Sequence, residues 1–108
     1  MNIQFSHPPR IITWSTVPGR EVAAGTSLAV QAEVEFFGDG SAEQVTVQFW
    51  DDDAAGGSFV GDVESLTYDA AEELWVGSIN AVSGADAISL TALDSDGTTS
   101  TEASVVVP

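Results

Sequence analysis

Apolar and polar residues alternate along most of this chain with a period of two. The clearest example is the run from Leu28 to Phe36, in which every second side chain is apolar and the intervening ones are mostly Gln or Glu. Because successive side chains of a β-strand point to opposite faces, this pattern predicts a strand with one face in a core and one in solvent. No window sustains the i, i+3, i+4, i+7 spacing of an amphipathic helix, so we predict an all-β fold.

The same alternation predicts further strands, separated by turns that contain Gly and Asp. Their inward residues are Val45, Val47 and Phe49 in 44–50, Ile88, Leu90 and Ala92 in 87–93, and Ile12 and Trp14 in 10–16. A last strand is predicted through Ala103, Val105 and Val107, ending at Pro108. Shorter elements are predicted at 59–63 and 66–68 as edge strands, and at 74–79, where the pattern leaves the buried face open.

Strands of this length and spacing are typical of a sandwich of two packed sheets. We predict an antiparallel β-sandwich of about seven or eight strands with Greek-key connections. The length of 108 residues allows a single domain, which we place at residues 10–108. The pair Pro8-Pro9 keeps the preceding chain extended, so residues 1–9 are predicted to form an N-terminal arm.

Several of these segments resemble the bacterial and archaeal Ig-like repeats. The resemblance lies in residues 45–51, 66–69, 74–79 and 88–100, and it extends over roughly residues 24–107. Such repeats occur in surface adhesins, S-layer-type proteins, extracellular enzymes and phage structural proteins. The resemblance implies an Ig-like sandwich with a spacer, adhesive or decorating role and without catalytic residues. The cysteine pair of antibody-type domains is missing, because the chain contains no Cys.

The charge of the chain restricts its partners. Two Arg, no Lys and 17 acidic residues give a formal net charge of -15. A phosphate backbone or an anionic membrane surface needs clustered basic side chains, so we expect neither nucleic acid nor membrane insertion. So acidic a composition suits concentrated brine, where salt screens the repulsion between carboxylates. An acidic extracellular module in ordinary medium is equally compatible with it.

Catalytic and metal-binding motifs are scarce. The single histidine, His7, is expected to be solvated, and no Gly-x-Ser-x-Gly turn is present, so we predict a protein that is not an enzyme and has no cofactor. Two acidic pairs, Asp51 with Asp53 and Asp94 with Asp96, are candidate Ca²⁺ ligands. We favour a simpler interpretation, in which Asp96-Gly97 supplies the residues of a hairpin turn.

Aromatic residues are the candidates for partner binding. Trp50 has the opposite parity from Val47 and Phe49, and Phe37 breaks parity with Phe36. An exposed ring on a sheet can anchor a partner protein or stack on a sugar; alternatively, both rings fold back as a lid. In the predicted arm, Ile3 and Phe5 are candidates for contact with a neighbouring subunit.

These features predict a non-catalytic structural or interaction module that binds protein subunits, including other copies of itself. Met1 leads into strand-like sequence without the basic and apolar regions of a signal peptide. This favours a complete small virion component, either a capsid decoration or a tail protein, of a virus with a salt-adapted host. One alternative is a repeat of a secreted adhesin or S-layer-type cell-surface protein. A second is a carbohydrate-binding module that uses Trp50 and Phe37.

Overall fold

The chain is built from antiparallel β-strands. The computed structural model describes residues 7–19, 21–38, 43–52 and 57–108, and within them it contains eight strands and no helix. The strands are β1 (Arg10–Val17), β2 (Ser27–Glu35), β3 (Gln44–Asp51), β4 (Ser58–Ser65), β5 (Thr67–Asp69), β6 (Leu74–Asn80), β7 (Ala87–Asp94) and β8 (Gly97–Ser104). The predicted all-β fold is confirmed.

The strands form two sheets that pack face to face. Each sheet has four strands, in the orders β1-β2-β6-β5 and β4-β3-β7-β8. The connections β2–β3, β4–β5 and β6–β7 pass from one sheet to the other, which produces the Greek-key arrangement. In the letter notation of immunoglobulin domains the sheets are A-B-E-D and C′-C-F-G, so the strand order is that of the predicted Ig-like sandwich.

The core consists of the side chains that the period of two placed inward. The largest fully buried ones are Phe49, Leu28, Ile88, Leu90, Val30, Val45 and Val47. They come from β2, β3 and β7, and burying each one stabilises the fold by about 1.5–3 kcal/mol. Ser89 of β7 is also buried although it alternates with the core residues, because β7 is flanked on both sides by paired strands.

The structure also decides which face of β6 is inward. Trp75, Gly77 and Ile79 lie opposite Ala32, Val30 and Leu28 of β2, and so they point toward the core. A Cβ atom on Gly77 would lie 2.6 Å from Leu66 Cδ2. The side chain of Leu66, which lies between β4 and β5, therefore fills the space that any larger residue at position 77 would need.

Two details of the predicted strands are wrong. The register of β1 shifts between Ile11 and Thr13, and this bulge turns Ile12 outward, where it is 44% exposed, while its predicted partner Trp14 packs against the core. The last strand covers Gly97–Ser104 instead of the segment from Ala103 to Val107.

The chain end beyond β8 is held by backbone hydrogen bonds to the β6–β7 connection. Ala103 is exposed, whereas Val105 and Val107 are buried. The amide of Val105 donates to the carbonyl of Asp86 at 3.0 Å, and that of Val107 donates to the carbonyl of Ala85 at 3.4 Å. Two of the inward positions of β8 carry Thr99 and Thr101, so the sequence lacks the apolar alternation that would have marked this strand.

Candidate interaction surface

The outer face of the β4-β3-β7-β8 sheet carries very little charge. The register of β3, β7 and β8 puts the following side chains on it: Gln44, Thr46, Gln48, Trp50, Ala87, Ser89, Thr91, Leu93, Thr98, Ser100, Glu102 and Ser104. From β4 it receives Phe59, opposite Trp50, and Ser65, opposite Thr46. We call this surface the low-charge face. Among these strand residues, Glu102 is the one ionisable side chain.

The carboxylates of the chain lie mainly elsewhere. Asp62 and Glu64 of β4 line a groove beside Ile79 and Val82, which belong to β6 and the loop after it, and so they lie away from the low-charge face. The outer face of the other sheet carries Glu33 and Glu35 of β2 and Asp69 of β5. The remaining acidic residues of the described chain follow the loops and strand ends. The low-charge face is therefore an exception on a strongly acidic molecule.

Trp50 and Phe59 form an aromatic pair on this face. Their ring centroids are 4.9 Å apart with an interplanar angle of 83°, which is the favourable edge-to-face arrangement. The Trp50 indole Nε1–H donates to Asp52 Oδ1. A Cβ atom on Gly57 would lie 2.5 Å from Trp50 Cζ2, so the backbone of Gly57 lies directly against the indole ring. These contacts fix the half-buried ring of Trp50 on the outside of the sheet, as its parity predicted.

Phe59 is the more exposed member of the pair, and the sequence did not single it out. Its side chain is 52% exposed. The neighbouring Val60 is also apolar, so the sequence of β4 shows no alternation that tells which of the two points outward. The cross-strand partner decides it, because Phe59 lies opposite the outward Trp50 and Val60 lies opposite the inward Phe49.

Phe37 lies at the other end of the sandwich from Trp50. It is 39% exposed, and its ring centroid lies 3.8 Å from that of His7. His7 is itself exposed, and Phe37 is its aromatic partner. Phe37 adjoins Gly38, whose amide donates to Asp94 at the end of β7, whereas Trp50 pairs with Ala87 at its start. Seven residues of strand correspond to about 23 Å. The two rings thus do not form one platform.

The predicted arm is described only in part. Ile3 and Phe5 lie outside the described residues. Pro9 is buried, and a Cβ atom on Gly97 would lie 3.4 Å from Pro8 Cβ, so residues 8 and 9 pack on the sandwich beside the β7–β8 hairpin.

The two acidic pairs that were candidate calcium ligands are separated. Asp51 follows Trp50 at the end of β3, where β7 begins, and Asp94 is at the opposite end of β7. Asp53 lies outside the described residues. Within the part of the chain that the structure describes, no group of three or more His, Asp or Glu side chains is arranged to hold a metal ion. Asp51 and Asp94 are therefore too far apart to bind the same metal ion.

The predicted hairpin turn lies between Asp94, the last residue of β7, and Gly97, the first residue of β8, and the Asp94 side chain stabilises it. This side chain is 4% exposed. Oδ1 accepts a hydrogen bond from the amide of Asp96 at 2.8 Å, and Oδ2 accepts one from the amide of Gly38 at 3.2 Å. Asp94 thus closes its own hairpin and ties that hairpin to the chain that follows β2. Asp96 itself is half-buried in the same turn.

Over the described residues, no helix has the length and apolar character needed to cross a membrane. No family model matches the sequence, and no curated protein is significantly similar to it.

Proposed function

We propose that this chain is a non-catalytic structural module that attaches to a protein assembly through its low-charge face. The observation that carries this proposal is the pair of Trp50 and Phe59, partly exposed on a face whose other strand residues, apart from Glu102, are mostly Ser, Thr and Gln. Aromatic residues that pass from solvent into a protein interface contribute much of its binding energy.

The distribution of charge supports the choice of face. Every carboxylate covered by a partner must lose its hydration, which is costly unless a cation replaces the water. A partner that covers the low-charge face desolvates only Glu102 among the strand residues there. Of the loop carboxylates, Asp52 lies at the edge of the face, where it accepts the Trp50 indole N–H. The strands of the face carry little charge, so the net charge of -15 opposes binding less here than on the acidic outer face of the other sheet.

The low-charge face is smaller than a standard interface, which indicates that the partner also contacts other parts of the chain. Four strands spaced by about 4.8 Å and eight residues long cover roughly 500 Å², whereas a standard interface buries about 800 Å² on each partner. The proposed N-terminal arm, with Ile3 and Phe5, is our candidate for the remaining area. Its deletion should be limited to residues 1–6, because Pro9 is buried in the sandwich.

The setting that we propose is a virus particle of a salt-adapted host, with the chain as a capsid decoration or tail component. In molar salt the Debye length falls to about 3 Å, so charge pairs between exposed surfaces lose most of their strength while apolar contacts persist. A low-charge contact face on an acidic body suits such a medium. A repeat of a cell-surface protein would use the same face, and the two settings differ in the particle that the chain joins.

The test compares Phe59→Ser with wild type in competition for binding to virus particles and, separately, to cell envelopes from the source culture. Loss of a buried Phe contact of about 1.5–3 kcal/mol lowers affinity roughly 10- to 100-fold. Quantitative mass spectrometry of the bound fraction should show this loss in one of the two preparations. Ile12→Ser is the matched control, because Ile12 is 44% exposed on an edge strand of the other sheet.

Equal loss of binding in Phe59→Ser and Ile12→Ser, or no loss of binding in either variant, would contradict the proposal. Binding that a free sugar competes and that Trp50→Ala abolishes would assign the face to carbohydrate instead. Circular dichroism and a thermal melt of each variant establish that the fold is intact.

A further inference from the structure

A second surface, separate from the low-charge face, combines three aromatic rings with one carboxylate. Phe36, Trp75 and Tyr68 line an open groove together with Val34 and Glu43. Trp75 points inward from β6, Tyr68 lies opposite it on the short edge strand β5, and Phe36 follows β2. The groove therefore opens where β5 ends the β1-β2-β6-β5 sheet.

The rings are inclined to one another and form a concave corner. The centroid of Trp75 is 5.8 Å from that of Phe36, with an interplanar angle of 64°, and 5.5 Å from that of Tyr68, with an angle of 56°. Tyr68 is 49% exposed, and Phe36 and Trp75 are half-buried. A small group that enters the corner can thus meet more than one ring at once.

Among the described residues that line this groove, Glu43 is the one charged side chain, and its charge is negative. Glu43 is half-buried, and no hydrogen bond or ion pair joins its carboxylate to another residue that the structure describes. Arg10 pairs in register with Glu35 on β2, and Arg10 is not among the residues that line the groove. Within the described part of the chain, no partner of Glu43 has to be displaced by a ligand.

We propose that this groove binds the ammonium group of a lysine side chain presented by a partner protein. Aromatic faces attract a cation within about 6 Å of the ring centroid, and the Glu43 carboxylate supplies the opposite charge. The aliphatic stem of a lysine packs on Val34 and Phe36. The ligand is complementary to a molecule with a net charge of -15 and no lysine of its own.

The geometry favours a cation over a sugar ring. A sugar needs one flat, open ring face and several hydrogen-bonding groups around it. The groove has inclined rings, a single carboxylate and the Tyr68 hydroxyl, which is a poor match for the many hydroxyls of a sugar. This inference does not depend on the low-charge face, and the two can fail separately.

The experiment is an NMR titration of the isotope-labelled full chain with Nα-acetyl-lysine N-methylamide at low ionic strength. The neutral control ligand is the norleucine analogue, which has the same stem without the ammonium group. We expect saturable shifts of the Trp75 indole and of the Tyr68 amide with a Kd of about 1–10 mM, and at most about a tenth of these shifts with the norleucine analogue.

Two variants test the residues. Glu43→Gln should weaken binding about 3- to 10-fold, and Tyr68→Ser, which removes an exposed ring from an edge strand, should weaken it at least about 3-fold. Phe59→Ser on the low-charge face should bind like wild type. Equal shifts from both ligands, no saturable shift, or unchanged binding in both Glu43→Gln and Tyr68→Ser would overturn the assignment, as would selective binding of N-acetylglucosamine.

Discussion

At the scale of single residues, Asp94 shows how an acidic side chain can be part of the fold in a chain whose other carboxylates are mostly solvated. Both of its oxygens accept backbone amides, one in its own turn and one in the chain after β2. An Asp in a sequence such as Asp-Ser-Asp-Gly resembles the start of a metal-binding loop. Here the backbone amides of Asp96 and Gly38 each donate to one of the two Asp94 oxygens, so this side chain has a role in the fold without a cation.

Replacing Asp94 should therefore destabilise the sandwich. In Asp94→Ala both amides lose their acceptor inside a partly buried turn, and each loss costs about 1–3 kcal/mol. Urea unfolding should show a decrease in the free energy of unfolding of about 2–6 kcal/mol. Asp96→Ala is the control, because the hydrogen bond of Asp96 in this turn is donated by its backbone amide. A similar loss in both variants would show that Asp94 has no special role.

At the scale of strands, the period of two identified the central elements and missed the places where the backbone breaks that period. The inward sides of β2, β3 and β7 could be predicted because their apolar residues alternate with polar ones. The bulge in β1 has no such signal, and it reverses the side of Ile12. Thr99 and Thr101 occupy inward positions of β8, so the apolar pattern does not mark this strand. The pattern instead predicts a strand through Val105 and Val107, which are buried beyond the end of β8.

Gly77 marks another feature that the sequence does not reveal. Its lack of a side chain makes room for Leu66, which is 5% exposed and comes from a different part of the chain. In Gly77→Ala, Leu66 has to leave its position in a close-packed core, which costs about 1–3 kcal/mol. Thermal and urea unfolding should both register the loss.

Gly19→Ala provides the matched control for that substitution. A Cβ atom on Gly19 would meet nothing within 4 Å, so its effect should stay within about 0.5 kcal/mol. If Gly77→Ala unfolds at the same denaturant concentration as Gly19→Ala, the close packing of Leu66 on β6 is wrong.

At the scale of the whole molecule, the two candidate surfaces arise from pairings that join distant parts of the chain. Trp50 could be predicted from its parity, but its partner Phe59 depends on the register of β3 with β4. The sequence left the buried face of 74–79 open, so it did not predict the side on which Trp75 lies. Its role in the groove requires Tyr68 from β5, Phe36 from the end of β2 and Glu43 before β3, and no local pattern connects these positions.

The net charge of -15 predicts that stability depends on salt. Repulsion between the carboxylates falls as salt screens them, so the melting temperature should rise from low salt to molar KCl by at least about 5 °C, which corresponds to roughly 1 kcal/mol for a domain of this size. A triple variant with Glu33→Gln, Glu64→Gln and Glu72→Gln, all at exposed positions, should show a smaller rise. Equal melting temperatures at low and high salt would contradict the proposal that the protein is adapted to concentrated brine.

Hydroxyl-radical footprinting of the chain, free and in its assembled state, tests the proposed attachment most directly. The account predicts that oxidation of Trp50 and Phe59 falls at least about 3-fold on assembly, while oxidation of Ile12 on the opposite sheet stays unchanged. Protection of Ile12 with full oxidation of Phe59 would contradict the account, because the partner would then cover the other side of the sandwich.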